Sequence, residues 1–490
     1  MNTFINSLSN ISKTDKGALT HKSSLNKCLD LFFIAGASRF MADSQIIKMF
    51  KDAYGENPVT AMMILFWARD CRGGAGEKKF FRIIAKEMLQ DQAAHDVMDT
   101  LTHLVPEYGS WKDLTYIECP NDATLNMFHT SIADTDSHSL AAKWFPRKGP
   151  WFVAMHKYLG VTPKYLRKML VEKTSVVESA MCSKRFDRIT YSAVPSLAMN
   201  KYRQAFYNQD ADRFEEFNND VKDGKNTVNA SVLFPHQLFQ ALQKNNFQFD
   251  QNIENQWNAL PDYMDSSENI LPLCDVSGSM MAGGSVAPMD VSVALGVYIA
   301  ERNKGPFGNH FMTFSEQTQL VKLHGETSCE KMINLRQADW GYTTNLQRAF
   351  EVILERGKQD NIKPEDMPTK ILIISDMEFD DAGDSKSNLE VINQKYADSG
   401  YSRPEIIFWN VNGRPENTPA KYADKGIGLV SGFSPSILKA ILLGKVETPY
   451  QLMLNTLYTK RYEPVAFWLK TCFGHVYDFT DVEISHNSPE

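Results

Sequence analysis

The sequence predicts a multidomain chain in which an all-α helical-repeat half precedes an α/β doubly wound half. Three observations predict it. The chain has 490 residues, more than one hydrophobic core usually organises. Up to about residue 260 the apolar residues recur at three- and four-residue spacing, as amphipathic helices do. After 270, short apolar strand candidates alternate with helical stretches, the pattern of a mostly parallel sheet covered on both faces.

Taken in order, residues 1–20 are polar, as in "NSLSNISKTDKGALTHKSS", and are expected to form a mobile arm. Residues 21–265 carry segments such as "LNKCLDLFFIAGASRF" and "KKFFRIIAKEMLQ", which read as helix pairs joined by short turns, an α-solenoid without a repeat of fixed length. The polar stretch 243–269 supplies a last helix and a connector. Residues 266–445 hold strand candidates at 271–275, 307–314, 369–375, 405–411 and 426–431. Helices are expected between them at 289–303, 345–357, 387–399 and 434–443, and "TQLVKLH" is an antiparallel edge strand. Residues 446–490 read as a helical extension and tail.

Composition narrows the class. Hydrophobic residues at 43% and charged residues at 23% are those of an ordinary globular protein. No apolar run reaches the roughly 18 residues of a membrane span, and the polar N-terminus lacks the apolar core of an export signal. The seven cysteines are scattered without a CxxC pair, which fits a reducing, cytoplasmic setting and speaks against a disulfide framework or a structural zinc. Charge is uneven: residues 1–265 carry 31 Lys and Arg against 30 Asp and Glu, and residues 266–490 carry 21 against 29, so +1 and −8 make up the net −7. Residues 143–203 hold 13 basic and 3 acidic side chains, an excess of +10. A polyanion would be sought there first.

"LPLCDVSGSM" carries the first chemistry. In a doubly wound sheet, ligands bind in loops at the carboxyl ends of the strands, which is where Asp275, Ser277 and Ser279 fall. Their alternation lets both hydroxyls converge while Gly278 permits the bend. Alone the pattern is weak, since roughly one chain in ten of this length would contain DxSxS by chance. Two further segments, "WGYTTNLQRAF" and "KILIISDMEFD", supply oxygen donors on the same predicted rim. Hard oxygen donors with few carboxylates suit Mg²⁺, or another divalent cation such as Mn²⁺ or Ca²⁺.

These three segments resemble the metal-ion-dependent adhesion site of von Willebrand factor A domains, over residues 271 to about 443. The resemblance implies that Ser277 and Ser279 hold the metal through their hydroxyls. Thr344, rather than Thr343, would bind directly or through water, and Asp275 and Asp376 mostly through water. It further implies an open position that takes an acidic group or other oxygen donor of a protein partner. Such a device binds; it implies no nucleophile or general base. Met280 and Cys274 read as core residues, and Asp380, Asp381 and Asp384 as a solvated acidic loop in preference to acids that support the metal ligands.

The helical half offers two candidates. "FWARDCRGGAGEKKFF" fails as a phosphate loop, because GxxxxGK[ST] is absent and the flanks are helical. It reads as a turn in which Arg69, Asp70 and Arg72 form ion pairs or touch a ligand. The basic segment sets Lys143, Arg147, Lys148, Lys157, Lys164, Arg167, Lys168, Lys184, Arg185, Arg188, Lys201 and Arg203 among nine aromatics: Trp144, Phe145, Trp151, Phe152, Tyr158, Tyr165, Phe186, Tyr191 and Tyr202. Cations neutralise phosphates and rings stack unpaired bases. Composition equally allows rings in the core and charges on a solvated face.

The order of "LFFIAG", "RDCRGGAGEKKFF", "VPEYGSWKDL" and "AAKWFPR", followed by "DVSGSM", "WGYTTNLQRAF", "ISDMEF", "IIFWNV" and "VSGFSP", resembles an uncharacterised family related to the Ro/TROVE proteins over residues 20 to 455. That resemblance implies HEAT-like helical repeats in a ring closed by a von Willebrand A domain, and binding of small noncoding RNA. The expected function is therefore a non-enzymatic, cytoplasmic ribonucleoprotein component. The competing expectation is an assembly scaffold whose metal site grips an acidic partner without RNA.

Overall fold

The computed structural model describes residues 9–134, 139–174, 176–264, 268–281, 284, 286–314, 318, 320–337, 344–381, 386–442 and 444–474, the side chains of 336 and 337 excepted. Thr343 and Asp384 lie outside the described residues.

The helical half begins with helices Lys27–Ala35, Asp43–Glu56, Pro58–Arg69 and Lys78–Gln90, each packed on its neighbours. Asn57 shows how the sequence sets a boundary. Its side chain accepts from the Thr60 amide, and Pro58 occupies the first helical position, where no amide hydrogen is needed. The helix that follows, "PVTAMMILFWAR", is buried at every one of its 12 residues, as a helix apolar on all sides must be.

The sheet half places six strands in the order β5-β4-β3-β6-β7-β8. Here β3 is Ile270–Cys274, β4 His310–Thr313, β5 Leu320–Lys322, β6 Lys370–Ser375, β7 Glu405–Asn410 and β8 Ile427–Ser431. All pairings are parallel except β4 with β5, the edge strand expected from "TQLVKLH". Strands β3, β6 and β8 are buried along their whole length, which explains their unbroken apolar runs. The chain leaves β3 toward β4 on one side, and β6 lies on the other. The carboxyl ends of β3 and β6 therefore flank the switch point of the sheet.

The change of texture near 265 is a change of secondary structure, and packing runs straight across it. One hydrophobic core extends from Cys28 and Phe32 through Trp257 to Trp409 and Leu469. Helix Lys27–Ala35 lies on β8, where Ser431 Oγ donates to the Phe32 carbonyl at 2.7 Å and accepts from the Gly36 amide at 3.0 Å. Gly36 is required there: a Cβ would come within 2.5 Å of the Ser431 carbonyl oxygen. The C-terminal helices Pro449–Leu457 and Glu463–Phe473 pack back onto β8 and onto the first helices.

The N-terminal arm differs from expectation. Strands β1 (Ile11–Lys13) and β2 (Leu19–His21) form a hairpin docked on the sheet half. Thr14 Oγ1 donates to the Phe379 carbonyl at 2.7 Å, the Asp15 amide to Glu378 Oε2 at 2.7 Å, and bridges join Gly17 to Asp380 and His21 to Thr418. Polar composition alone reads as an arm, but these side chains and amides find partners more than 350 residues away in the chain. No helix among the described residues is long and apolar enough to cross a membrane.

Candidate functional site

The residue after β3 is Asp275, and the last residue of β6 is Ser375, followed by Asp376. Cys274 pairs with Ile374 in the sheet register, so the two aspartates emerge side by side. Ser375 Oγ donates to Asp275 Oδ2 at 2.5 Å, and Asp275 Oδ1 accepts from the Ser277 amide at 2.9 Å. That second bond curls the loop and brings Ser277 Oγ to 3.1 Å from Ser279 Oγ. Asp275, Ser277 and Asp376 are buried and Ser279 is half-buried. Burial, and next the neighbouring Asp376, push the Asp275 carboxyl up to about 6; Asp376 meets the Arg414 guanidinium at 3.2 Å, whereas Asp275 forms no ion pair among the described residues.

Thr344, also fully buried, is tied to the loop after β6. Its amide donates to Asp380 Oδ2 at 2.5 Å and its carbonyl accepts from the Asp380 amide at 3.2 Å. Asp380, expected in a solvated loop, instead holds this segment in place. Asp381 is exposed, its amide donating to the Lys16 carbonyl. Met377, directly after Asp376, takes a left-handed backbone conformation with φ 65°, uncommon for a long side chain and often found where a loop is held for function. Met280 and Cys274 are core residues, and burial raises the Cys274 thiol to about 12.

Sequence reasoning missed two cations at this rim. Lys16 Nζ, from the N-terminal hairpin, donates to Thr344 Oγ1 and lies 3.7 Å from Asp380. Arg414 contacts Asp376 and Glu378, each at 3.2 Å, and Asp15 at 2.8 Å. Neither sits in a local motif; only the chain's return to this rim brings them in. Among the described residues no group of three or more His, Cys, Asp or Glu side chains forms a metal cluster. The cluster at the switch point is of another kind, built from two carboxylates and hydroxyls.

The "RDCRGG" turn is structural. Arg69 pairs with buried Asp113 at 2.7 Å, Arg461 spans Asp70 at 2.8 and 2.9 Å, and Arg72 donates to the Glu107 carbonyl at 2.6 Å.

The basic segment divides. Arg147 is turned inward, donating to the carbonyls of Ala142 at 2.8 Å and Phe145 at 3.0 Å and to Thr174 Oγ1 at 3.2 Å. Arg203 pairs with Asp250 at 2.9 Å and donates to the carbonyls of Asn200 and Ala241. Both are struts, which corrects their place among the phosphate-contacting candidates. Lys148, Lys157, Lys164 and Lys184 are exposed and meet no acidic partner among the described residues. Arg188 is exposed as well, close to Asp187. Arg185 spans Asp187 at 3.0 and 2.9 Å, Lys168 pairs with Glu172 at 3.7 Å, and Lys143 faces Glu178 at 3.8 Å. Arg167 lies over Phe152 at 4.8 Å and Lys201 over Tyr202 at 4.7 Å. Of the nine rings, Phe145, Trp151, Phe152 and Tyr191 are buried, Phe186 and Tyr202 are half-buried, and Trp144, Tyr158 and Tyr165 are exposed.

Comparison with known proteins gives three findings. Family models described as a domain of unknown function, DUF7788, and a domain of unknown function, DUF2828, match residues 269–460 and 153–270. The chain is 30% identical over 511 residues to the uncharacterized protein L728 of Acanthamoeba polyphaga mimivirus, covering 92% of this chain and 88% of the relative. The crystal structure of the RO (RSR) protein of Deinococcus radiodurans is similar at 14% identity and a TM-score of 0.37, covering 84% of this chain and 91% of that one.

Proposed function

The chain belongs to the family of the uncharacterized mimivirus protein L728, and for it we propose a non-enzymatic RNA-binding function, with a divalent cation at the switch point of its sheet. The observation that supports RNA binding best is the exposed set Lys148, Lys157, Lys164 and Lys184, without acidic partners among the described residues and carried with the open rings Tyr158 and Tyr165 on one basic segment. Lysines free of acidic partners neutralise phosphates by releasing counterions, and open rings stack single-stranded bases. The Ro/TROVE resemblance implies RNA binding on a basic outer surface, in a cytoplasmic protein.

Mg²⁺ fits the residues at the switch point. The donors are hard oxygens, and the Asp275 carboxyl, raised first by burial and then by Asp376, forms no ion pair among the described residues. Ser277, Ser279 and Thr344 would hold the ion, with Asp275 and Asp376 acting through water. Bound there, it would supply a Lewis-acidic position for an oxygen donor of a protein partner, as the von Willebrand A resemblance implies. The doubly wound sheet with one antiparallel edge strand supports that finer reading.

The test is an RNA shift assay across salt concentrations. Association that weakens steeply with salt, and on reversing the charges of Lys164, Arg167, Lys168, Lys184 and Arg185, is the expected result. Association indifferent to both contradicts the proposal.

A further inference from the structure

We infer that single-stranded nucleic acid also docks outside the basic segment's free face, on a ridge where the exposed rings of Tyr116 and Trp144 stack its bases between three cations, Arg82, Lys112 and Lys143. This deepens the RNA-binding reading and rests on it. The ridge is built by three helices, Lys78–Gln90, Trp111–Ile117 and Leu140–Trp144. Tyr116 is 51% exposed and Trp144 39%, so both present ring area to solvent.

Cations hold both rings on one surface. The Arg82 guanidinium sits 3.9 Å from the Tyr116 ring centre, and the Lys143 ammonium 5.4 Å from that of Trp144. Lys112 is shared, 5.6 Å from each ring. The ridge therefore alternates charge and ring at the spacing of adjoining side chains, the arrangement that tracks a phosphate backbone while stacking its bases.

Positive charge beneath the ridge is in excess. Buried Asp113 alone takes Arg69 at 2.7 Å and Arg82 at 2.6 Å, while Lys78 lies close enough for Arg69, Asp113 and Arg82 all to act on it. Arg69 Nη1 is buried without a hydrogen-bond partner. Three cations around one carboxylate leave a field that favours a polyanion over an apolar or basic partner. Of the five residues that form the ridge, Lys143 and Trp144 belong to the basic segment; Arg82, from the basic stretch "KKFFRIIAK", Lys112 and Tyr116 lie earlier in the chain.

The experiment is a fluorescence anisotropy titration of the full chain with a labelled oligouridylate of about 12 nucleotides. Tyr116→Ala and Trp144→Ala are each expected to weaken binding about tenfold, and Trp144→Phe to retain most of the affinity because a ring remains. Wild-type binding that both alanine variants keep, but that reversal of Lys164, Arg167 and Lys168 abolishes, overturns the ridge and leaves the RNA reading standing. Equal losses in Trp144→Phe and Trp144→Ala also overturn it, since a stacking ring would then not be what the nucleic acid reads. A wild-type chain that binds no oligonucleotide overturns both.

Discussion

The switch point and the basic segment hold their polar groups in opposite ways. At the switch point nearly every polar atom is buried and tied to another: Asp275 to Ser375 and Ser277, Thr344 to Asp380, Asp376 to Arg414. On the basic segment the side chains are either struts, as Arg147 and Arg203 are, or free in solvent, as Lys164 and Lys184 are. Buried, mutually tied groups fix one geometry and so suit a small cation. Free charges on flexible stems tolerate many geometries and so suit a long polyanion.

The comparison is sharpened most by a strut. Arg203→Ala strands Asp250 in a largely buried place, and a loss of about 3 kcal/mol in denaturant unfolding is expected, with RNA affinity unchanged in the protein that remains folded. Asp275→Ala is next, expected to weaken Mn²⁺ binding by about ten- to a hundredfold in an electron paramagnetic resonance titration without touching RNA affinity. Reversing Lys157, Lys164 and Lys184 one at a time should leave the unfolding midpoint in place. Each reversal should lower the slope of log affinity against log salt by about 1. The smallest effect belongs to Lys16. Its ammonium occupies the hydroxyl of Thr344, so Lys16→Ala is expected to tighten Mn²⁺ binding about two- to fivefold. A weaker site in that variant would mean that the hairpin supports the cation rather than competing with it.

The sequence made the sheet legible because buried parallel strands must be continuous apolar runs. The antiparallel edge was legible because "TQLVKLH" is a short, mixed polar and apolar run beside the buried strands. The clustering of Asp275, Ser277, Ser279 and Asp376 was legible for a related reason: strand ends are visible, and strand ends meet at a rim. What was not legible is what non-local packing decides. "SKTDKG" has the composition of a free arm, and only its partners Glu378, Phe379 and Asp380 make it a hairpin. Arg203 looks like its basic neighbours until Asp250 and two carbonyls take its donors. The ridge at Tyr116 escaped notice because Arg82, Lys112 and Trp144 are far apart in sequence and only packing of their helices brings them together.

Salt dependence of RNA binding tests the central claim most directly, because counterion release from phosphates is what distinguishes the proposed function from a protein scaffold. Titrating the wild-type chain with labelled single-stranded RNA at several salt concentrations should give log affinity falling linearly with log salt. Four free lysines on the basic segment set a slope of about −3 for single strands. A slope near zero, or no binding at the lowest salt, would contradict the account.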